Sequence, residues 1–233
     1  MLFDKWFPAS ISTFSGDIDF VFYLIFYIVG FWFLLTEGLI IYSLIRHRKG
    51  KAASFDGSGK RQSSWILIPA AIVLLLDLAI DYAGGQVYDK VKIETPDHID
   101  LQVLVTAQQY GWFFTYPGED NEFGTSDDII FDEDAGAVPL HIPVGKVVQL
   151  HLKSTDVIHS FFVPELRLKQ DIVPGRIIPV WFQVTKKYLR EEPYEIACAE
   201  LCGFGHHMMR AFLVVQTEEE FTGWLKEQAE SQW

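Results

Sequence analysis

The chain has 233 residues, 49% of them hydrophobic, and carries 31 acidic against 19 basic side chains for a net charge of −12. That length suits one substantial domain plus a smaller unit, and a surface this acidic excludes nucleic acid as a partner, since phosphate binding needs lysine and arginine. The apolar fraction alone does not separate soluble from membrane classes; its distribution along the chain does.

From Phe20 to Ile45 the only charged residue is Glu37, and from Trp65 to Ile80 it is Asp77. At about 1.5 Å of rise per residue, roughly 20 residues cross the hydrocarbon core of a bilayer, and the second run reaches that length with Ser63 and Tyr82 at the interfaces. The pattern predicts transmembrane helices over about 20–45 and 64–82, within an N-terminal part that ends at Ala83. A buried helix of a soluble core is the alternative for the second run. The first is too apolar on every face for a surface helix, and too long and too far from the start for a cleaved signal peptide. The connector 46–62 sets Arg46, Arg48, Lys49, Lys51, Lys60 and Arg61 against Asp56. The positive-inside rule places it in the cytoplasm and both chain ends outside.

Before Gly84 the acidic and basic residues number seven each, and from Gly84 onward 24 and 12, so the net charge belongs to the exported part. Such a domain steers a basic protein partner by long-range attraction, or simply stays soluble. Strand-like runs recur at Leu101–Ala107, Trp112–Tyr116, Val147–Lys153, Ile177–Val184, Tyr194–Ala197 and Ala211–Gln216. Turns at Pro143-Val144-Gly145, Pro174-Gly175 and Pro193 separate them, which predicts an all-β sandwich or barrel over 84–216. The stretch Glu119–Asp134 holds eight acidic residues without strand periodicity and reads as a long loop. Its alternating donors Asp120, Glu122, Asp127 and Asp128 suit a hard cation such as calcium, without the spacing of an EF-hand; a solvated loop or part of a docking surface is the other reading. Thr217 with Glu220 forms a capping box, and Phe221, Trp224 and Leu225 then share one face of a C-terminal helix within 217–233, expected to pack on the barrel.

Both cysteines fall in Cys198-Ala199-Glu200-Leu201-Cys202-Gly203-Phe204-Gly205-His206-His207-Met208-Met209. Thiolate, imidazole and thioether donors together favour copper or zinc over magnesium or calcium, and methionine tilts the choice to copper. A disulfide explains none of the other donors. A structural zinc site of Cys198, Cys202, His206 and a further histidine completes a tetrahedron but leaves Met209 idle. His159, before the apolar run that ends in Pro164, supplies a distant ligand at the end of a strand. The histidines at 47, 98, 141 and 151 read as surface or core residues.

With these motifs together, the chain resembles subunit II of the haem-copper respiratory oxidases, the cytochrome c oxidase family. The likeness rests on the two helices, the aromatic strand Gln109 to Tyr116, His159-Ser160-Phe161, the run Leu168-Lys169-Gln170-Asp171-Ile172-Val173-Pro174-Gly175-Arg176, and the cysteine loop. It implies a cupredoxin-like Greek-key barrel behind a transmembrane hairpin, carrying the binuclear copper centre CuA. By the same resemblance Cys198 and Cys202 bridge both coppers, His159 and Met209 complete one, and His206 and the Glu200 carbonyl complete the other. The Glu200 side chain faces a magnesium or manganese ion at the boundary with the haem-containing catalytic subunit I, which Lys169 and Asp171 also line, and His206 lies on the route to haem.

Tyr110 stands where the family usually presents the tryptophan that receives electrons from cytochrome c, and Trp112 takes the place of the second tryptophan. Gln62 replaces a glutamate that many members place at the mouth of a proton channel. No Cys-x-x-Cys-His follows Met209, which excludes a fused cytochrome. Glu37 and Asp77 lie about 14 and 18 Å from the cytoplasmic helix ends at 1.5 Å per residue. Carboxylates at such depth point to function by default, through a shared hydrogen bond or a face toward the catalytic subunit; the alternative is a protonated structural group at a helix interface.

The implied activity is that of the electron-accepting subunit of a terminal oxidase in the bacterial plasma membrane, with its copper domain on the periplasmic or outer side and other membrane subunits alongside. Cytochrome c or another cytochrome is the donor, and oxygen is reduced to water in the catalytic subunit. The alternatives are the equivalent subunit of a nitric oxide reductase, and a membrane-tethered copper carrier or zinc-stabilised adaptor.

Overall fold

A computed structural model describes residues 7–48, 60–132, 139–185 and 193–231, with Lys60, Arg61 and Gln62 described by backbone alone. Lys49, Lys51 and Asp56 of the connector, and Glu133 and Asp134 of the acidic loop, lie outside the described residues. The chain divides into a helical unit, Asp17–Lys90, and a β unit formed by what precedes and follows it.

The helical unit consists of α1, Ser15–His47, and α2, Lys60–Tyr88, with Pro69 inside α2 and a π-helical turn over Asp89–Ile93 after it. Both helices carry stretches of mean hydropathy 2.2 long and apolar enough to cross a membrane. They run beyond the apolar limits read from sequence, because backbone hydrogen bonding continues where side chains have already turned polar. Lys90 Nζ lies 2.5 Å from Asp17 Oδ2, joining the first turn of α1 to the end of α2. Glu37 and Asp77 are both exposed, and among the described residues they do not hydrogen-bond to each other.

The β unit bears out the all-β expectation; the cupredoxin-like barrel is realised as two facing five-stranded sheets. The first has the order β3 (Ile129–Phe131), β2 (Gly111–Tyr116), β1 (Leu101–Gln108), β5 (Val147–Ser154), β8 (Ile177–Gln183). The second has β4 (Leu140–Pro143), β10 (Arg210–Gln216), β9 (Tyr194–Cys198), β6 (His159–Val163), β7 (Leu168–Ile172). Parallel pairs β1–β5 and β4–β10 sit among antiparallel ones. The alternation seen in sequence becomes the core: Val103, Val105, Trp112, Phe114, Leu150, Leu152 and Phe182 face inward from one sheet, and Phe161, Val163, Ile196, Leu213 and Val215 from the other. Trp112 meets Phe161 edge-on across the interface, with ring centroids 5.5 Å apart.

Three differences from the sequence reading have local causes. β3, β4, β6 and β7 have three to five residues each, too few for a period of two to stand out, so β3 lies inside what read as a structureless acidic loop and His159 begins β6 instead of ending a strand. Second, β2 starts at Gly111, so Gln109 and Tyr110 form the turn that enters it. Third, the segment before α1 belongs to the β unit and not with the helical hairpin. Ile11 and Phe14 are fully buried, Ser12 bridges Val184, Thr13 N–H donates to Gln183 O at 3.0 Å, and Ser12 Oγ donates to Leu166 O at 2.8 Å. Two apolar residues among serines and threonines carry no periodic signal.

The capping box forms as expected: Thr217 N–H donates to Glu220 Oε2 at 2.8 Å and Glu220 N–H to Thr217 Oγ1 at 3.3 Å. It opens α3, Glu218–Ser231, whose Trp224 stacks on His141 at 4.0 Å and packs against Tyr116 and Phe131. In the acidic loop, Asp120 accepts from Glu122 N–H, Asp128 from Gly124 N–H and Asp127 from Thr125 Oγ1, all within 2.8 Å. These carboxylates brace their own backbone. Among the described residues, the one cluster of histidine, cysteine or carboxylate groups fit for a metal lies elsewhere.

Candidate metal centre

Strand pairing assembles the site. β6 lies antiparallel to β9 with Phe161 opposite Cys198, so His159, two residues before Phe161 on the same face of β6, comes beside the end of β9. The loop from Ala199 then carries the remaining donors through a 3-10 turn, His206–Met208, into β10, and Cys198 N–H donates to Met209 O at 3.1 Å across its base.

Cys198 Sγ lies 3.9 Å from His159 Nδ1, 3.9 Å from Cys202 Sγ and 3.2 Å from the Glu200 carbonyl oxygen. Cys202 Sγ lies 3.7 Å from His206 Nδ1 and 3.8 Å from Met209 Sδ. All six sequence-predicted ligand residues thus converge. His159, Cys198, Cys202 and Met209 are buried, His206 is half-buried, and the Glu200 side chain is exposed. The sulfurs are far outside the roughly 2.05 Å of a disulfide, and both thiols are free. Burial, and then the neighbouring Cys198, push the Cys202 thiol up to about 11. Cys202 therefore needs a metal or another strong electrophile to lose its proton near neutral pH.

Asp156, which no sequence motif singled out, and Gln109, named only as the start of the aromatic strand, complete the surroundings. Asp156 Oδ1 accepts from His159 Nε2 at 2.8 Å, which leaves the Nδ1 lone pair facing Cys198. Burial acts to raise the Asp156 carboxyl, but hydrogen bonds from His159 and from the Gln109 and Val157 N–H groups win and hold it below the ordinary carboxylate range. The available signal was an aspartate three residues before a histidine, at the end of Ser154-Thr155-Asp156, a pattern common in turns without any metal. Gln109 Nε2 donates to the Cys202 carbonyl.

Tyr110 and Trp112 both adjoin the site. Tyr110 is 40% exposed and lies over the cysteine loop at Gly203 and Gly205, while Trp112 is buried, 6.4 Å ring to ring from His159, with its Nε1 donating to Met209 O at 3.4 Å. Leu201, Phe204 and Met208 expose apolar side chains around the loop. Lys169 pairs with Asp171 at 3.0 Å on β7. Glu37 and Asp77 belong to the helical unit.

At one end of a β-sandwich, His159, Cys198 and Cys202 form a group that could hold a metal, with His206 and Met209 beside Cys202, in a chain that has two helices long and apolar enough to cross a membrane. Residues 101–217 match the family described as cytochrome c oxidase subunit II, periplasmic domain. The alternative cytochrome c oxidase subunit 2 of Bradyrhizobium diazoefficiens is 30% identical over 97% of this chain and 86% of its own length. Cytochrome c oxidase subunit 2 of Thermostichus vulcanus is 32% identical over 84% of this chain and 70% of its own. The solved periplasmic domain of subunit II (CoxB) from Bradyrhizobium japonicum aligns with 59% of this chain and 99% of its own, at 26% identity and a TM-score of 0.48. The chain belongs to the cytochrome c oxidase subunit II family.

Proposed function

We propose that this chain is the electron-accepting subunit of a respiratory haem-copper oxidase, itself non-catalytic, which takes electrons from cytochrome c or a similar cytochrome and delivers them to a haem-containing catalytic subunit that reduces oxygen to water. The observation that carries the reading is the convergence of Cys198, Cys202, His159, His206, Met209 and the Glu200 carbonyl within 3.2–3.9 Å of one another along a connected chain of contacts.

Those spacings fit a metal. Bonds of about 2.0–2.3 Å from a tetrahedral ion to nitrogen and sulfur give ligand-to-ligand edges of roughly 3.3–3.8 Å, close to what the residues already hold. One mononuclear blue-copper site takes a single strong thiolate, so a second cysteine and a carbonyl donor favour two copper ions. Cys198 and Cys202 would be shared by both, His159 and Met209 would complete one, and His206 and the Glu200 carbonyl the other. When bound, such a pair supplies reversible one-electron chemistry with little change in bond length.

The chain's own residues do the rest. Burial of both thiols keeps water and oxidants from the sulfurs. Tyr110 offers an exposed ring above the loop, and Trp112 places a second aromatic system against two of the ligands, so the route inward is aromatic from surface to site. The exposed Glu200 side chain is free to reach a magnesium or manganese ion at a subunit boundary, with Lys169 and Asp171 as further boundary residues. The exposed Glu37 and Asp77 remain open to a neighbouring membrane subunit. The segments on both sides of the helical unit belong to the β unit, which favours an even number of membrane crossings, and the basic connector between the helices favours the periplasmic side of a bacterial plasma membrane for that unit.

Metal analysis with electron paramagnetic resonance on the purified protein tests this. Two coppers per chain, with hyperfine structure from one electron spread over two equivalent nuclei, is the expected result; one zinc, or a mononuclear copper spectrum, overturns it.

A further inference from the structure

The metal ligands come from two separate places, β6 and the β9–β10 loop, and the ladder joining them stops near Cys198: Ala199 N–H still donates to Ser160 O at 3.0 Å, but Cys202 lies beyond it. What spans the remaining gap is the turn between β1 and β2. Its Gln109 N–H donates to Asp156 Oδ2 at 2.7 Å, while Oδ1 of the same carboxylate holds His159. The Gln109 side chain, from the same residue, holds the Cys202 carbonyl. The next residue, Tyr110, closes over the loop so tightly that a Cβ on Gly203 would come within 2.7 Å of its hydroxyl, and one on Gly205 within 2.5 Å of its ring. A two-residue turn is therefore bonded to one ligand strand through Asp156 and to the other ligand segment directly.

Resting on the copper reading above, we propose that Gln109 and Asp156 are positioning residues: they clamp His159 and the Cys202 segment at the separation the metal pair needs, and make the exposed Tyr110 tip part of the same rigid unit. The carboxylate bond to the outer nitrogen of His159 fixes which nitrogen meets the metal, and losing such a partner typically weakens metal binding by about 10–100-fold. Removing the Gln109 side chain frees the Cys202 carbonyl but leaves the backbone N–H on Asp156, whereas removing Asp156 frees both His159 and that N–H. Each cut breaks the same linkage between the two halves, so the losses are coupled instead of additive.

The test uses the full-length chain, copper-loaded, with Asp156→Ala, Gln109→Ala, the double variant, and Asp156→Asn, which keeps the side-chain volume should the alanine fail to fold. The expected result is copper loss to a chelator about tenfold faster or more in each alanine variant, with an altered hyperfine pattern and a shifted reduction potential. The double variant should lose less than the sum, and the melting temperature of the metal-free chain should be nearly unchanged. Wild-type release rate, spectrum and potential in both single variants overturn the clamp while leaving the copper reading intact. Faster release that merely tracks a loss of metal-free stability also overturns it, because the residues would then be structural only. A wild-type chain that holds no copper pair defeats the functional reading itself, before any variant is compared.

Discussion

Gly205→Ala isolates the contact between Tyr110 and the cysteine loop. The backbone of Gly205 sits at φ −85° and ψ 8°, which alanine adopts freely, so the only obstacle is steric. The added methyl would lie 2.5, 2.6 and 2.9 Å from three atoms of the Tyr110 ring, well inside van der Waals contact, and the ring must move. Overpacking of this kind costs about 1–3 kcal/mol. For a chain of this size each kcal/mol lowers the melting temperature by about 2–4 °C, so thermal unfolding of the metal-free protein should shift by several degrees. In a Tyr110→Ala background the ring is gone and Gly205→Ala should become nearly neutral, a coupling that a double-mutant cycle reads directly. Gly203, with φ of +136°, is the internal control: alanine there is strained by its own backbone and should remain costly with or without the Tyr110 ring. An equal cost of Gly205→Ala in the two backgrounds would refute the packing argument.

Replacing Cys198 or Cys202 by serine removes a soft donor common to both halves of the site and should abolish copper binding and donor-driven turnover, while membrane fractionation still finds the chain inserted; retained turnover in either variant contradicts the ligand assignment. Trp224→Ala takes away the ring that stacks on His141 and packs on Tyr116 and Phe131, and should cost stability toward the lower end of the about 3–5 kcal/mol typical of large aromatic truncations, measured by denaturant unfolding. Burial, partly offset by the Gln216 hydrogen bond, holds the His141 imidazole below its ordinary value of 6.5. Its neutral form is thus favoured by the fold: the stability it contributes is complete above pH 6.5 and is lost as pH falls through the lower folded value. Melting temperatures of wild type and His141→Gln should therefore converge on acidification, and a constant gap from neutral to mildly acidic pH would show that His141 is not the group responsible.

Much of the site was legible because its chemistry is local. Cys198, Cys202, His206 and Met209 share one loop, and four soft or borderline donors in twelve residues point to a metal whatever the fold around them. The two apolar helices were equally plain, since crossing a bilayer imposes a length and a composition on consecutive residues. His159 stood out only through the motif around it. Asp156 and Gln109 did not, since an aspartate before a strand and a glutamine in a turn are ordinary residues until pairing places them 2.8 Å from one ligand and against the carbonyl of another. The short strands β3, β4, β6 and β7 and the segment before α1 escaped for a related reason: few residues carry no period, and the burial of the segment before α1 depends on partners more than a hundred positions away, such as Ser12 on Leu166.

By itself, then, the sequence determined the membrane-length helices, the all-β class of the acidic domain and the donor set, because hydrophobic length, alternation and ligand chemistry are properties of neighbouring residues. Only the tertiary structure decided which carboxylate orients His159, that Gln109 holds the Cys202 carbonyl, and that Tyr110 closes over Gly203 and Gly205, because those depend on β1, β6 and the β9–β10 loop meeting at one end of the sandwich.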